Sequence, residues 1–85
     1  MGAGAANVEI VGSAFMPTTI TVPVGTTVTW RNMDTTRTVT SDTGVFDSGV
    51  LPQRNSWMYT FNTPGTYPYH CEFDPTIRGT VTVTE

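Results

Sequence analysis

Eighty-five residues suffice for one hydrophobic core, and a single cysteine excludes an internal disulfide, so burial must stabilise the chain. Seven acids against four arginines, with no lysine, give a formal net charge of -3 and leave no basic surface for nucleic acid or anionic membrane. No apolar run reaches the roughly 20 residues that a membrane span requires.

The opening Met-Gly-Ala-Gly-Ala-Ala lacks the charged and apolar regions of a signal peptide, so residues 1–6 are expected to be a disordered leader or expression remnant. One domain is expected over residues 7–85. Within it, eighteen threonines, many alternating with valine, isoleucine or an aromatic, carry the period of two that marks half-buried strands. Strands are predicted at residues 7–11, 18–22, 26–31, 37–41, 55–62, 65–71 and 78–84. Turns are expected at Pro23-Val24-Gly25, Ser48-Gly49 and Thr63-Pro64-Gly65, where proline and glycine favour reversal. About seven short strands without a helix predict an all-β Greek-key β-sandwich. The first strand, residues 7–11, is expected at a sheet edge, open to another chain if uncovered.

Side chains two apart in a strand share a face, so Val28 with Trp30, Trp57 with Tyr59 and Phe61, and Val81 with Val83 are expected to build the core. Cys71 falls on the face of Tyr67 and Tyr69, and a buried free cysteine behaves as a small inert hydrophobe. His70, the only histidine, then points to the opposite face and cannot share a metal with Cys71. Asp42, Asp47, Glu72 and Asp74 match neither a calcium loop nor a supported carboxylate pair, and no serine has a histidine base. An enzyme is not expected.

Seven stretches in order carry a resemblance covering about nine-tenths of the chain. They are Phe15-Met16-Pro17, Gly25-Thr26-Thr27-Val28-Thr29-Trp30, Thr38-Val39-Thr40, Phe46-Asp47-Ser48-Gly49, Tyr59-Thr60-Phe61, Pro64-Gly65-Thr66-Tyr67-Pro68-Tyr69-His70-Cys71 and Gly79-Thr80-Val81-Thr82-Val83. Together they resemble the cupredoxin (blue-copper) family, in its plastocyanin- and amicyanin-like branch. That resemblance implies a copper ion under the loops at one end of the sandwich, held by a mid-chain histidine and a Cys-x-x-His-x-x-Met run. Two imidazoles, a thiolate and a weak axial thioether suit single-electron transfer.

Set against that pattern, Asp74 stands where the loop histidine would be and Ile77 where the methionine would be. Arg37 stands for the upstream histidine, in a loop from Asp34 read as one residue shorter. Only Cys71 is retained, with Thr38, Asn32 and Pro75 as supporting residues. Arginine stays protonated and cannot ligate a cation. An Arg37–Asp74 ion pair is therefore expected in place of the ligands, with Ile77 filling the methionine's volume.

The resulting expectation is a metal-free domain without a cofactor, an engineered or degenerate derivative of a blue-copper electron carrier serving as a scaffold. One alternative is a binding module whose altered loops present Met33, Arg54 and Phe73 to a protein partner. Another is an electron carrier with a non-standard copper site at Cys71, aided by Asp74. A monomer is expected, and the resembled family is periplasmic, secreted or thylakoid-lumenal.

Overall fold

Threonine alternating with valine and aromatics satisfies a sheet whose two faces differ, and the computed structural model, which describes residues 4–85, contains eight strands and no helix. They are β1 (Ala5–Val11), β2 (Ala14–Met16), β3 (Thr19–Pro23), β4 (Thr26–Asn32), β5 (Thr40–Ser41), β6 (Ser56–Phe61), β7 (Gly65–Cys71) and β8 (Asp74–Thr84). One sheet runs β2-β1-β4-β6 and the other β3-β8-β7-β5, which makes the expected all-β Greek-key sandwich. The β1/β4 and β3/β8 pairs are parallel, while the remaining neighbours run antiparallel.

Four local expectations change. β1 starts at Ala5, inside the stretch read as a leader, because Ala5 and Ala6 pair with Thr27 and Val28; residues 1–3 lie outside the described residues. β1 is also interior rather than an edge, since the unexpected β2 pairs with it through a two-residue connection. Gly12 (φ 57°) and Ser13 (φ 64°) both take the left-handed conformation there, as a type I′ hairpin turn demands. The strand expected over residues 37–41 contracts to β5, because Arg37 makes only an isolated bridge, to Leu51, and the ladder with β7 begins at Thr40. Finally, β8 begins at Asp74 instead of residue 78, with Cys71 opposite Asp74 across a two-residue turn.

The core forms where the inward rows meet. Trp30 on β4 is fully buried, with the rings of Trp57 and Tyr69 centred 5.5 Å away, Phe46 5.9 Å and Phe61 6.4 Å. Val28, Val81 and Val83 are buried as their alternation required. Trp57 and Tyr59 are only half-buried, because β6 ends its sheet and one flank of each ring lacks a neighbour. Gly79 faces Tyr69 so closely that a β-carbon would meet the tyrosine ring and hydroxyl at 2.5 Å. Only glycine fits beneath that buried, immobile ring.

Candidate functional site

The end of the sandwich that carries the retained cysteine is assembled from the close of β4, the loop to β5, and the β7–β8 turn. Asn32, wholly buried at the end of β4, organises that loop with its side-chain amide. Its Nδ2 donates to the carbonyls of Thr35 (2.7 Å) and Leu51 (2.8 Å), and its Oδ1 accepts from the Asp34 amide (2.9 Å). Thr38, also buried, accepts from the Glu72 amide at 2.8 Å and exchanges a hydrogen bond with Thr40 Oγ1 at 2.9 Å. The loop and the β7–β8 turn are thus tied directly by protein groups.

Arg37 reaches this end with its backbone paired to Leu51 in both directions. Its guanidinium does not meet Asp74. Nη2 instead donates to Asp34 Oδ2 at 3.1 Å and to Ser13 Oγ at 3.4 Å, while Nε is buried without a hydrogen-bond partner. The expected Arg37–Asp74 pair is replaced by a local one, because a carboxylate three residues upstream on the same loop is reached at little entropic cost. Asp34 also accepts from the backbone amides of Ser13 and Thr35, both at 2.9 Å. Those amides, the Ser13 one foremost, and then Arg37 hold its carboxyl below the usual carboxylate range.

Asp74 is occupied elsewhere. Its Oδ1 accepts from the Thr76 hydroxyl at 2.6 Å and the Thr76 amide at 3.2 Å, the closed loop that an Asp-Pro-Thr sequence favours. Thr76 is the main cause of its lowered pKa, and the more distant Arg37 charge contributes least. Cys71 and Ile77 are buried on the inward face with Tyr69, and Pro75 is exposed. Met33, Arg54 and Phe73 are exposed, with Phe73 at the turn itself and 58% accessible.

His70 lies on the outer face, as parity required, in a cluster that spacing could not reveal. Its Nδ1 bonds Asp42, 28 residues away, and its Nε2 lies 3.3 Å from Glu72, while Arg78 donates to the other Asp42 oxygen at 3.1 Å. Asp42 foremost, then Glu72, raises the His70 pKa above its ordinary 6.5. A raised histidine stabilises the fold fully below about 6.5 and loses that contribution as pH climbs through its folded value. The lowered Asp34 and Asp74 act oppositely, contributing above about 3.8 and failing as pH falls through their folded values. Stability should therefore peak between roughly pH 4 and 6.5, with an alkaline decline of about 1 kcal/mol or less. In urea unfolding at pH 5.5 and 8.5, His70→Asn should abolish the difference; an unchanged difference would remove His70 as its cause.

These donors do not suit a blue-copper centre. The inward end offers one thiol, a guanidinium, a hydrocarbon side chain and a carboxylate already satisfied by Thr76, with no imidazole. Among the described residues no three of His, Cys, Asp or Glu gather as a ligand set. The structure gathers Asn32, Asp34, Arg37 and Ser13 into one hydrogen-bonded unit, while Thr38 bonds separately to Thr40 and Glu72; Asp34 and Ser13 were not anticipated, although the Asp34/Arg37 spacing of three was the available signal.

A family model described as Cupredoxin-like domain matches residues 2–83. Amicyanin from Paracoccus denitrificans is 34% identical over 86 residues, covering 94% of this chain and 66% of its own length. A Cu(I) structure of an amicyanin variant superposes with a TM-score of 0.87 at 32% identity, over 93% of this chain and 81% of its own. A purple cupredoxin from Nitrosopumilus maritimus matches with a TM-score of 0.85 at 31% identity, over 93% of this chain and 99% of its own.

Proposed function

The chain belongs to the cupredoxin family, and we propose that it is a metal-free member, an engineered or degenerate derivative of a blue-copper electron carrier that serves as a structural scaffold. The observation that supports this reading is the placing of Arg37, half-buried and bonded to Asp34 and Ser13, at the position read as a histidine ligand. A fixed cation there repels a metal ion and supplies no lone pair. Among the described residues Cys71 is the only buried soft donor, and one thiolate does not make the trigonal plane that electron transfer at copper uses. His70 is held on the other face by Asp42 and Glu72 and does not serve Cys71 as a base; no catalytic role is assigned.

Titration of the reduced protein with Cu(II) separates this reading from the electron-carrier alternative. The expected result is no intense visible thiolate-to-copper band and no stoichiometric uptake. A strong band saturating at one copper per chain would replace the metal-free reading with a copper site at Cys71. A second reading, a loop-end binding surface, draws on exposed Phe73 and Met33.

A further inference from the structure

Every open sheet needs a way to blunt its edges, and three of the four edges here have one. β2 is three residues long, β5 is two, and β3 ends in Pro23. β6 has none: six residues in unbroken register with β4, no proline, no bulge and no charge between Asn55 and Thr63. Among the described residues, no backbone outside β4 hydrogen-bonds Ser56, Met58 or Thr60.

The direction of that edge follows from the register. The Thr27 amide donates to Gly4 on the β1 side while the Asn32 amide donates to the Asn55 carbonyl on the β6 side, so Val28 and Trp30 face β6, and Trp30–Trp57 and Val28–Tyr59 are the hydrogen-bonded pairs. Trp57 and Tyr59 therefore spend their backbone groups on β4, while those of Ser56, Met58 and Thr60 point away from the sheet.

We propose that this edge pairs with a second copy of the chain, β6 against β6 in antiparallel fashion about a two-fold axis at Met58, joining two four-stranded sheets into one. The occupant is self because the strand is self-complementary in that register. Met58 then faces the partner's Met58, and Ser56 and Thr60 face the partner's Thr60 and Ser56. All three are hydrogen-bonded pairs, giving about six backbone bonds from groups that already point outward. Between them, Trp57 meets the partner's Tyr59 at the closer, non-hydrogen-bonded positions. Cross-strand aromatic pairing would cover two rings that the monomer leaves half-exposed, and would continue the Trp57–Tyr59 stack at 5.9 Å and 20°. Shape and parity thus agree on one axis.

A single strand pair buries less than the roughly 1,200 Å² of a stable complex, so the dimer forms at high concentration, where the sequence alone led to a monomer. Sedimentation velocity from about 10 μM to about 1 mM should show the mass rising toward twice that of one chain. Over the same range, hydrogen exchange should slow several-fold at the Ser56, Met58 and Thr60 amides and stay constant at Trp57 and Tyr59. Met58→Lys, which sets two like charges face to face at a 64% exposed position, should weaken association by about tenfold or more. Met16→Lys, at a 54% exposed methionine on β2, should leave it unchanged. A monomer throughout the range, a dimer without the alternating protection, or one lost with Met16→Lys but not Met58→Lys would each overturn the proposal.

Discussion

An Arg37→His/Asp74→His/Ile77→Met variant is expected to take up copper at one ion per chain with an intense visible thiolate band, where the parent shows neither. The three changes add two imidazoles and a thioether to the buried Cys71 thiol, completing the donor set of a blue-copper site on a scaffold that superposes on amicyanin with a TM-score of 0.87. Affinity should rise by at least about a thousandfold, or about 4 kcal/mol. Removing Arg37 does not collapse its loop, because Asp34 keeps the Ser13 and Thr35 amides and Asn32 keeps its three bonds. Asp74→His alone should fail, since the Arg37 charge remains. Position 37 is the sharpest element of this test, because its loop is read as one residue short. A folded triple variant that binds no copper would show that Arg37 does not stand at the ligand position.

Trp30→Ala should cost about 3–5 kcal/mol, the range for truncating a fully buried aromatic, because four rings would lose contact with it and a cavity would open between the sheets. A domain of this size holds only about 5–10 kcal/mol, so the variant should lose cooperative unfolding or sharply lower its denaturant midpoint. Its neighbour sets the contrast. The Tyr69 hydroxyl and the Trp30 indole N–H are both buried without a hydrogen-bond partner; burial pushes the Tyr69 pKa up to about 12, and the nearby indole N–H, which makes no bond of proper geometry to the hydroxyl, opposes that only in part. Tyr69→Phe should therefore be neutral or stabilise by up to about 1 kcal/mol, since it removes an unsatisfied polar atom while keeping the ring. Chemical denaturation of both variants measures these effects, and a loss above about 1 kcal/mol for Tyr69→Phe would mean that the hydroxyl is bonded.

The inward rows were legible because burial writes itself into alternation: Val28, Trp30, Phe61, Val81 and Val83 are all core. What alternation does not carry is which strand ends a sheet. Trp57 and Tyr59 read as core yet sit half-open, and the 7–11 strand read as an edge yet lies between two neighbours, because strand order is set by pairings distant in sequence. β2 escaped because three residues show no period, although Gly12-Ser13 was a legible turn. At the loop end, Arg37, Asp74 and Ile77 were placed only by register against the resembled pattern, and Ile77 and Cys71 are both buried. The side-chain partners were not legible. Arg37 had carboxylates on its own loop and on the β7–β8 turn, and Asp34 was favoured by proximity while Asp74 was claimed by Thr76.

The bond from the Glu72 amide to Thr38 Oγ1, across 34 residues of sequence, has a thermodynamic corollary. A loop end cross-linked by an ion is stabilised in proportion to the logarithm of that ion's concentration, so its folding equilibrium belongs partly to its surroundings. Here Thr38, Asn32 and the Asp34–Arg37 pair close the same end from within the chain, and folding is expected to carry no linkage to any metal. The domain should melt at one temperature in chelator and in excess copper alike, independent of the supply that a copper protein must share with its compartment.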